Sequence, residues 1–276
     1  TPSLPRVGGR GLSVVGAAMS DAVNPDAAPP PAPRTGPWGL WATMGLSMLV
    51  VLVYCIAVAL VLGGFAAAAA AIRDGAFHFG EFAGAIATNG LVQSLSVLAA
   101  AVACCVAMVL FVRWRRAGTV RDYLALRAVS WRTALAWFSV YVVLFAAVHG
   151  LLYALELPAS SDLVRRQFET AGSVPLFVLA IVVVGPILEE VFFRGFMFAG
   201  IAASRLGLVG AVAITSLLWA VVHVQYDIAG VTAVLSLGIV LGVARAMSGS
   251  ILLTFALHAA GNLAAIIELM AFPPGP

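Results

Sequence analysis

The sequence predicts an all-α fold, a polytopic transmembrane helical bundle of seven to eight helices with a polar site inside it. Three observations predict this. Hydrophobic residues make up 62% of the 276 residues and charged residues only 10%, against about 25% charged in soluble proteins. Apolar runs of bilayer length, about 20 residues, recur along the chain. Within the later runs stand Glu189, Glu190, Arg194, His223, His258 and Asn262, and polar groups in lipid must find partners inside the protein. The net charge of +3 comes from arginines beside apolar spans, as topology signals do, so no nucleic-acid partner is expected.

Residues 1–37 are rich in Pro, Ala, Gly and Ser without apolar periodicity, and read as a disordered N-terminal segment. Met19 followed by Ser-Asp reads as the natural start, which makes residues 1–18 an upstream extension; a transit peptide is the weaker alternative. Residues 38–173 carry the N-terminal transmembrane helices. The first run, about Leu40–Leu62, exceeds a signal-peptide core, and an uncleaved helix is expected although Ala66–Ala71 resembles a cleavage region. Spans follow at about Leu91–Val112 and Thr133–Leu155. Between them Arg113, Arg115, Arg116, Arg121, Arg127 and Arg132 face one acid, Asp122, so this stretch and the N-terminus are assigned to the cytoplasm. The loop Glu156–Ser173 fits the outside.

Residues 174–272 form the polar-bearing core, with spans at about Val174–Ala203, Leu208–Val224, Ile228–Met247 and Ile251–Phe272. Val174–Ala203 is too long for one upright crossing, so it either tilts or breaks near Gly195 or Gly200; the count of seven or eight and the side of the C-terminus turn on this. Cys55, Cys104 and Cys105 match no metal or disulfide spacing and read as small apolar fillers.

A charged residue at the centre of a membrane helix costs about 2.5–3.5 kcal/mol on translocon scales, so two adjacent carboxylates are poorly explained by packing. Glu190 and Arg194 are four apart and share a helical face. Glu189 points elsewhere, which leaves one glutamate paired and the other free for chemistry. His223 lies four residues after Trp219, and His258 and Asn262 form a second i,i+4 pair. Three helices thus donate polar groups. His78 and His149 read as structural, Asp227 as a helix N-cap, Glu268 as reaching the interface, and Gln225 and Tyr226 as candidates for the mouth of the site.

Glu189-Glu190-Val-Phe-Phe-Arg194 fits EExxxR, Trp219-Ala-Val-Val-His223 fits FxxxH except for Trp in place of Phe, and His258-Ala-Ala-Gly-Asn262 fits HxxxN. In this order the chain resembles the CPBP group of intramembrane proteases, which includes the type II CAAX prenyl endopeptidases and bacterial bacteriocin-processing or immunity (Abi) proteins. The resemblance covers about Pro175–Leu269. It implies that Glu189 and His223 activate water, that His258 and Asn262 stabilise the oxyanion, and that Glu190 and Arg194 support the scaffold. Both metalloprotease and metal-free glutamate mechanisms are described for the group. The residues allow either: Glu189, His223 and His258 are the ligands if zinc binds, yet HExxH is absent and a metal-free site is preferred.

A proton- or cation-coupled transporter is the main alternative, but it predicts pseudo-symmetric halves and the polar residues lie in one half only. A catalytically silent scaffold is the third reading. The basic residues are all arginine, which suggests a bacterium with a GC-rich genome and a cell-membrane location. Prenylated CAAX proteins are not expected there, so the expected partners are the lipid bilayer and a membrane-associated peptide or protein substrate.

Overall fold

In lipid every backbone N–H and C=O must be satisfied within the segment or by a neighbour, so long apolar runs wind into helices. The computed structural model describes residues 36–72, 86, 88–116, 118–157, 162–223 and 225–271. Residues 1–35 and His78 lie outside the described residues. The helices are α1 (Leu40–Ile72), α2 (Gly90–Arg115), the short α3 (Val120–Tyr123), α4 (Trp131–Ala154), α5 (Asp162–Glu169), α6 (Val174–Ala202), α7 (Gly207–Val221), α8 (Ile228–Ser248) and α9 (Ile251–Ala271), with no strand among the described residues. Six of them, α1, α2, α4, α6, α8 and α9, are long and apolar enough to cross a membrane, and the chain is an integral membrane protein.

Side-chain caps fix several helix starts. Asn89 accepts from the Val92 N–H at 3.0 Å, Ser130 from Thr133 at 3.1 Å, and Asp227 from Gly230 at 2.7 Å, as expected for Asp227. Thr119 caps α3 and donates to Asp122, and this bond, with Arg127 beside it, holds the exposed Asp122 carboxyl below its usual range.

One alternative about the spans is resolved and two expectations change. Val174–Ala202 does not break near Gly195 or Gly200; it runs on as one helix with two wide π-wound stretches, Leu179–Val184 and Glu190–Met197. The fifth run is shorter than expected, because α7 ends at Val221 after 15 residues and His223 lies in the turn beyond it. The first helix continues past Leu62 through Ala66–Ala71 to Ile72. The loop Glu156–Ser173 also holds a helix, α5, that its polar sequence did not announce.

The ends of the helices sort into two groups. Trp38 donates from its indole to the Phe111 carbonyl at 3.3 Å, and Ile251 N–H donates to the Ala125 carbonyl at 3.1 Å. The Ser250 hydroxyl donates to the Arg127 carbonyl, and Arg245 Nε donates to the Arg194 carbonyl at 2.9 Å. The starts of α1 and α9, the α8–α9 turn and the arginine-rich segment therefore share one end, the one the arginine pattern assigns to the cytoplasm. At the other end Thr170 accepts from Gly90 N–H at 3.0 Å and donates to the Thr88 carbonyl at 2.6 Å, tying the loop after α5 to the start of α2. With α6 crossing once, α9 runs from the arginine-rich end toward the opposite one.

Helix α1 meets α6 where Thr43, fully buried, lies against Gly200. A Cβ at Gly200 would fall inside the Thr43 side chain, touching its Cβ, Oγ1 and Cγ2. Gly200→Ala is therefore expected to destabilise the protein by about 1–3 kcal/mol through overpacking, read as a lower thermal midpoint in detergent. Thr43→Ala in the same chain should restore part of it. An unchanged midpoint for Gly200→Ala would contradict this packing.

Candidate active site

Five side chains from α6, α7 and α9 meet inside the bundle. Glu190 and Arg194, one helical turn apart, are 1% and 0% exposed and pair at 3.1 Å between Oε1 and Nη1. A guanidinium at such depth needs more than one partner. Its Nη2 donates to the Gly238 carbonyl on α8 at 3.2 Å, and its Cζ stands 4.5 Å from the centre of the Trp219 ring, over its face. Gly238 permits this approach, since a Cβ there would stand 3.0 Å from Trp219 Cε3.

His258 lies between the two glutamates. Its Nδ1 is 3.0 Å from Glu190 Oε1 and its Nε2 is 3.9 Å from Glu189 Oε2. The paired carboxylate thus fixes the ring from one edge and leaves the other facing Glu189. Glu189, whose side chain is 29% exposed, also accepts from the Trp219 indole N–H at 2.5 Å. Glu190 pairs with Arg194 as the i,i+4 spacing requires, and Glu189 points away from that pair to Trp219. That both carboxylates reach the same imidazole was not foreseen.

His223 joins the cluster through its neighbours. Its Nδ1 lies 2.7 Å from the Trp219 carbonyl, so donation there leaves Nε2 as an acceptor. The ring stands 5.2 Å from that of Trp219 and 5.7 Å from that of Tyr226. The Tyr226 phenol, in the turn between α7 and α8, is pushed up to about 12 by burial and then by the Glu189 carboxylate, so it remains a donor at the edge of the site.

Asn262 is engaged by α6 itself. Pro186 has no N–H, and five residues before it, in the i→i+5 pattern of the wide stretch, stands Ile181. The Gly185 N–H, the other candidate donor, goes to the Ala180 carbonyl. Asn262 Nδ2 donates to the Ile181 carbonyl at 2.9 Å. One amide proton is therefore committed to the scaffold and the second is left for another acceptor. The proline in a membrane helix was the available signal; its distance from Asn262 in sequence hid the connection.

Glu189, His223 and His258 do not form a ligand set as they stand, and among the described residues no group of three His, Cys, Asp or Glu side chains is placed to hold a metal ion. His149 packs its ring 4.0 Å from that of Phe145 on α4. The cysteines are all free, with Cys104 buried and its thiol 3.6 Å from the Val50 carbonyl.

The family model described as type II CAAX prenyl endopeptidase Rce1-like matches residues 171–264, which contain Glu189, Glu190, Arg194, Trp219, His223, His258 and Asn262. No curated protein and no solved structure gives a match.

Proposed function

From the match of residues 171–264 to the type II CAAX prenyl endopeptidase Rce1-like model we propose that the chain is a CPBP-type intramembrane endopeptidase that cuts a membrane-associated peptide with Glu189 as its base. The observation that carries this reading is the contrast between the two neighbouring carboxylates: Glu190 is sealed against Arg194, while Glu189 is reachable and held between Trp219 and His258. Peptide hydrolysis needs a base for water and donors for the oxyanion that forms at the carbonyl carbon.

In this reading a water beside Glu189 gives up a proton to its carboxylate, with His223 Nε2 as the second acceptor, while the water oxygen attacks the scissile carbonyl. The negative charge that develops on the carbonyl oxygen is met by the second amide proton of Asn262 and by His258, which gives its Nδ1 proton to Glu190 and so donates from Nε2 only when both ring nitrogens carry a proton. The C–N bond then breaks, and the proton held by Glu189 passes to the leaving amine. Glu190 and Arg194 act on His258 by fixing the edge it turns to the site. The substrate class is a peptide or protein held at the bilayer.

The test uses purified protein in liposomes with a panel of membrane-anchored fluorogenic peptides. The parent should cut at least one of them, and His258→Ala should lower kcat by about 10²–10³ with little change in KM, the usual loss for one oxyanion donor. Asn262→Ala should lose turnover and also stability, by about 1–3 kcal/mol, because the Ile181 carbonyl is left unpaired inside the bundle. Undiminished kcat in His258→Ala, or ion transport by the liposomes with no peptide cut, would overturn the reading.

A further inference from the structure

Trp219 stands where the FxxxH pattern has phenylalanine, and of the two side chains only the larger indole carries an N–H group. In this chain that group donates to Glu189 Oε2 at 2.5 Å. The indole is fully enclosed, 2% exposed, and each of its parts is fixed by a different element. Arg194 stands over its face, Gly238 of α8 backs its Cε3 edge, and the His258 ring meets it edge-on at 5.1 Å. Glu189, by contrast, is partly exposed, and its nearest other partner, His258 Nε2, is at 3.9 Å. A flexible carboxylate is thus hydrogen-bonded to one of the most rigidly packed side chains in the site.

From this geometry we infer that Trp219 is a positioning residue for Glu189, a role that a phenylalanine in its place cannot perform. The inference rests on Glu189 acting as the base, as proposed above. The indole N–H holds Oε2 and so turns Oε1 toward the position where water must lie; without it the side chain samples other rotamers and spends less time in the competent one. Arg194 strengthens the device. A cation over the π face draws electron density from the ring and makes the N–H a better donor, a cooperative effect favoured where water is scarce. The buried ion pair and the base are connected in this way through a single aromatic ring.

Two replacements at position 219 test this. Trp219→Phe installs the side chain of the resembled motif, and 3-benzothienylalanine keeps the indole's shape with sulfur in place of N–H. The analogue should leave KM and the thermal midpoint near parental values and lower kcat about tenfold, the low end for losing a hydrogen bond to a charged group; Trp219→Phe should show the same loss of kcat together with a lower midpoint, because it also removes buried volume and weakens the contact with Arg194. A merely structural role would leave the isosteric analogue unaffected. A folded variant of either kind with parental kcat overturns the positioning role. Glu189→Gln run beside them separates the two ideas: if it retains turnover, the base assignment itself fails; if it is inactive while position 219 is silent, only the role of Trp219 falls.

Discussion

Glu189→Gln is expected to abolish peptide hydrolysis while leaving a folded, membrane-inserted protein. Glutamine keeps the length and shape of the side chain and can still accept from the Trp219 indole through its amide oxygen, so the packing around α7 should survive. What it cannot do is take a proton from water at neutral pH. Loss of a general base typically lowers the rate by about 10²–10⁴, and His223 Nε2, the second acceptor in this reading, would be left to act without the carboxylate. The measurement is kcat on whichever membrane-anchored peptide the parent cuts, with the thermal midpoint as control. Turnover near the parental value would end the assignment of Glu189.

Arg194→Ala is expected to be the most damaging change to stability, by about 3–5 kcal/mol. The substitution removes the ion pair with Glu190, the bond to the Gly238 carbonyl and the cation over the Trp219 ring together. It also leaves a carboxylate that is 1% exposed without a permanent cation, with His258 and Thr254 beside it. The protein should accumulate poorly and unfold at lower temperature. The double variant Glu190→Gln with Arg194→Gln removes both charges and should recover part of the yield, which a simple loss of packing would not predict. A single Arg194→Ala protein with parental thermal stability would contradict the pairing.

The spans were legible because a bilayer imposes a length and a composition on any segment that crosses it, and both can be counted in a sequence. The Glu190–Arg194 pair was legible for a similar reason: i,i+4 places two side chains together whatever surrounds the helix. The convergence of Glu189 and Glu190 on opposite edges of His258 was not, because it depends on how α9 lies against α6. The same holds for Trp219, whose aromatic ring matched the motif while its N–H, the part that reaches Glu189, had no counterpart there. For Asn262 the resemblance implied an oxyanion donor, and the structure engages one of its amide protons with Ile181, beside a proline far away in the chain. Helix α7 was expected to be longer, since the apolar character of Val222 gave no sign that winding stops at Val221.

The wide winding of Leu179–Val184 has a consequence for how this site tolerates insertions and deletions. A π turn takes up one residue more than an α turn, so the segment holds an extra residue without rotating the helix on either side of it. Deleting one residue within it should return the stretch to ordinary winding and leave Phe177 on one side and Glu190 on the other facing the same neighbours. The carbonyl that Asn262 now binds would swing out of reach. Chain length and facing direction are therefore uncoupled at this point of α6, and the tie between Asn262 and α6 is set by how many residues the chain spends there as well as by which ones they are.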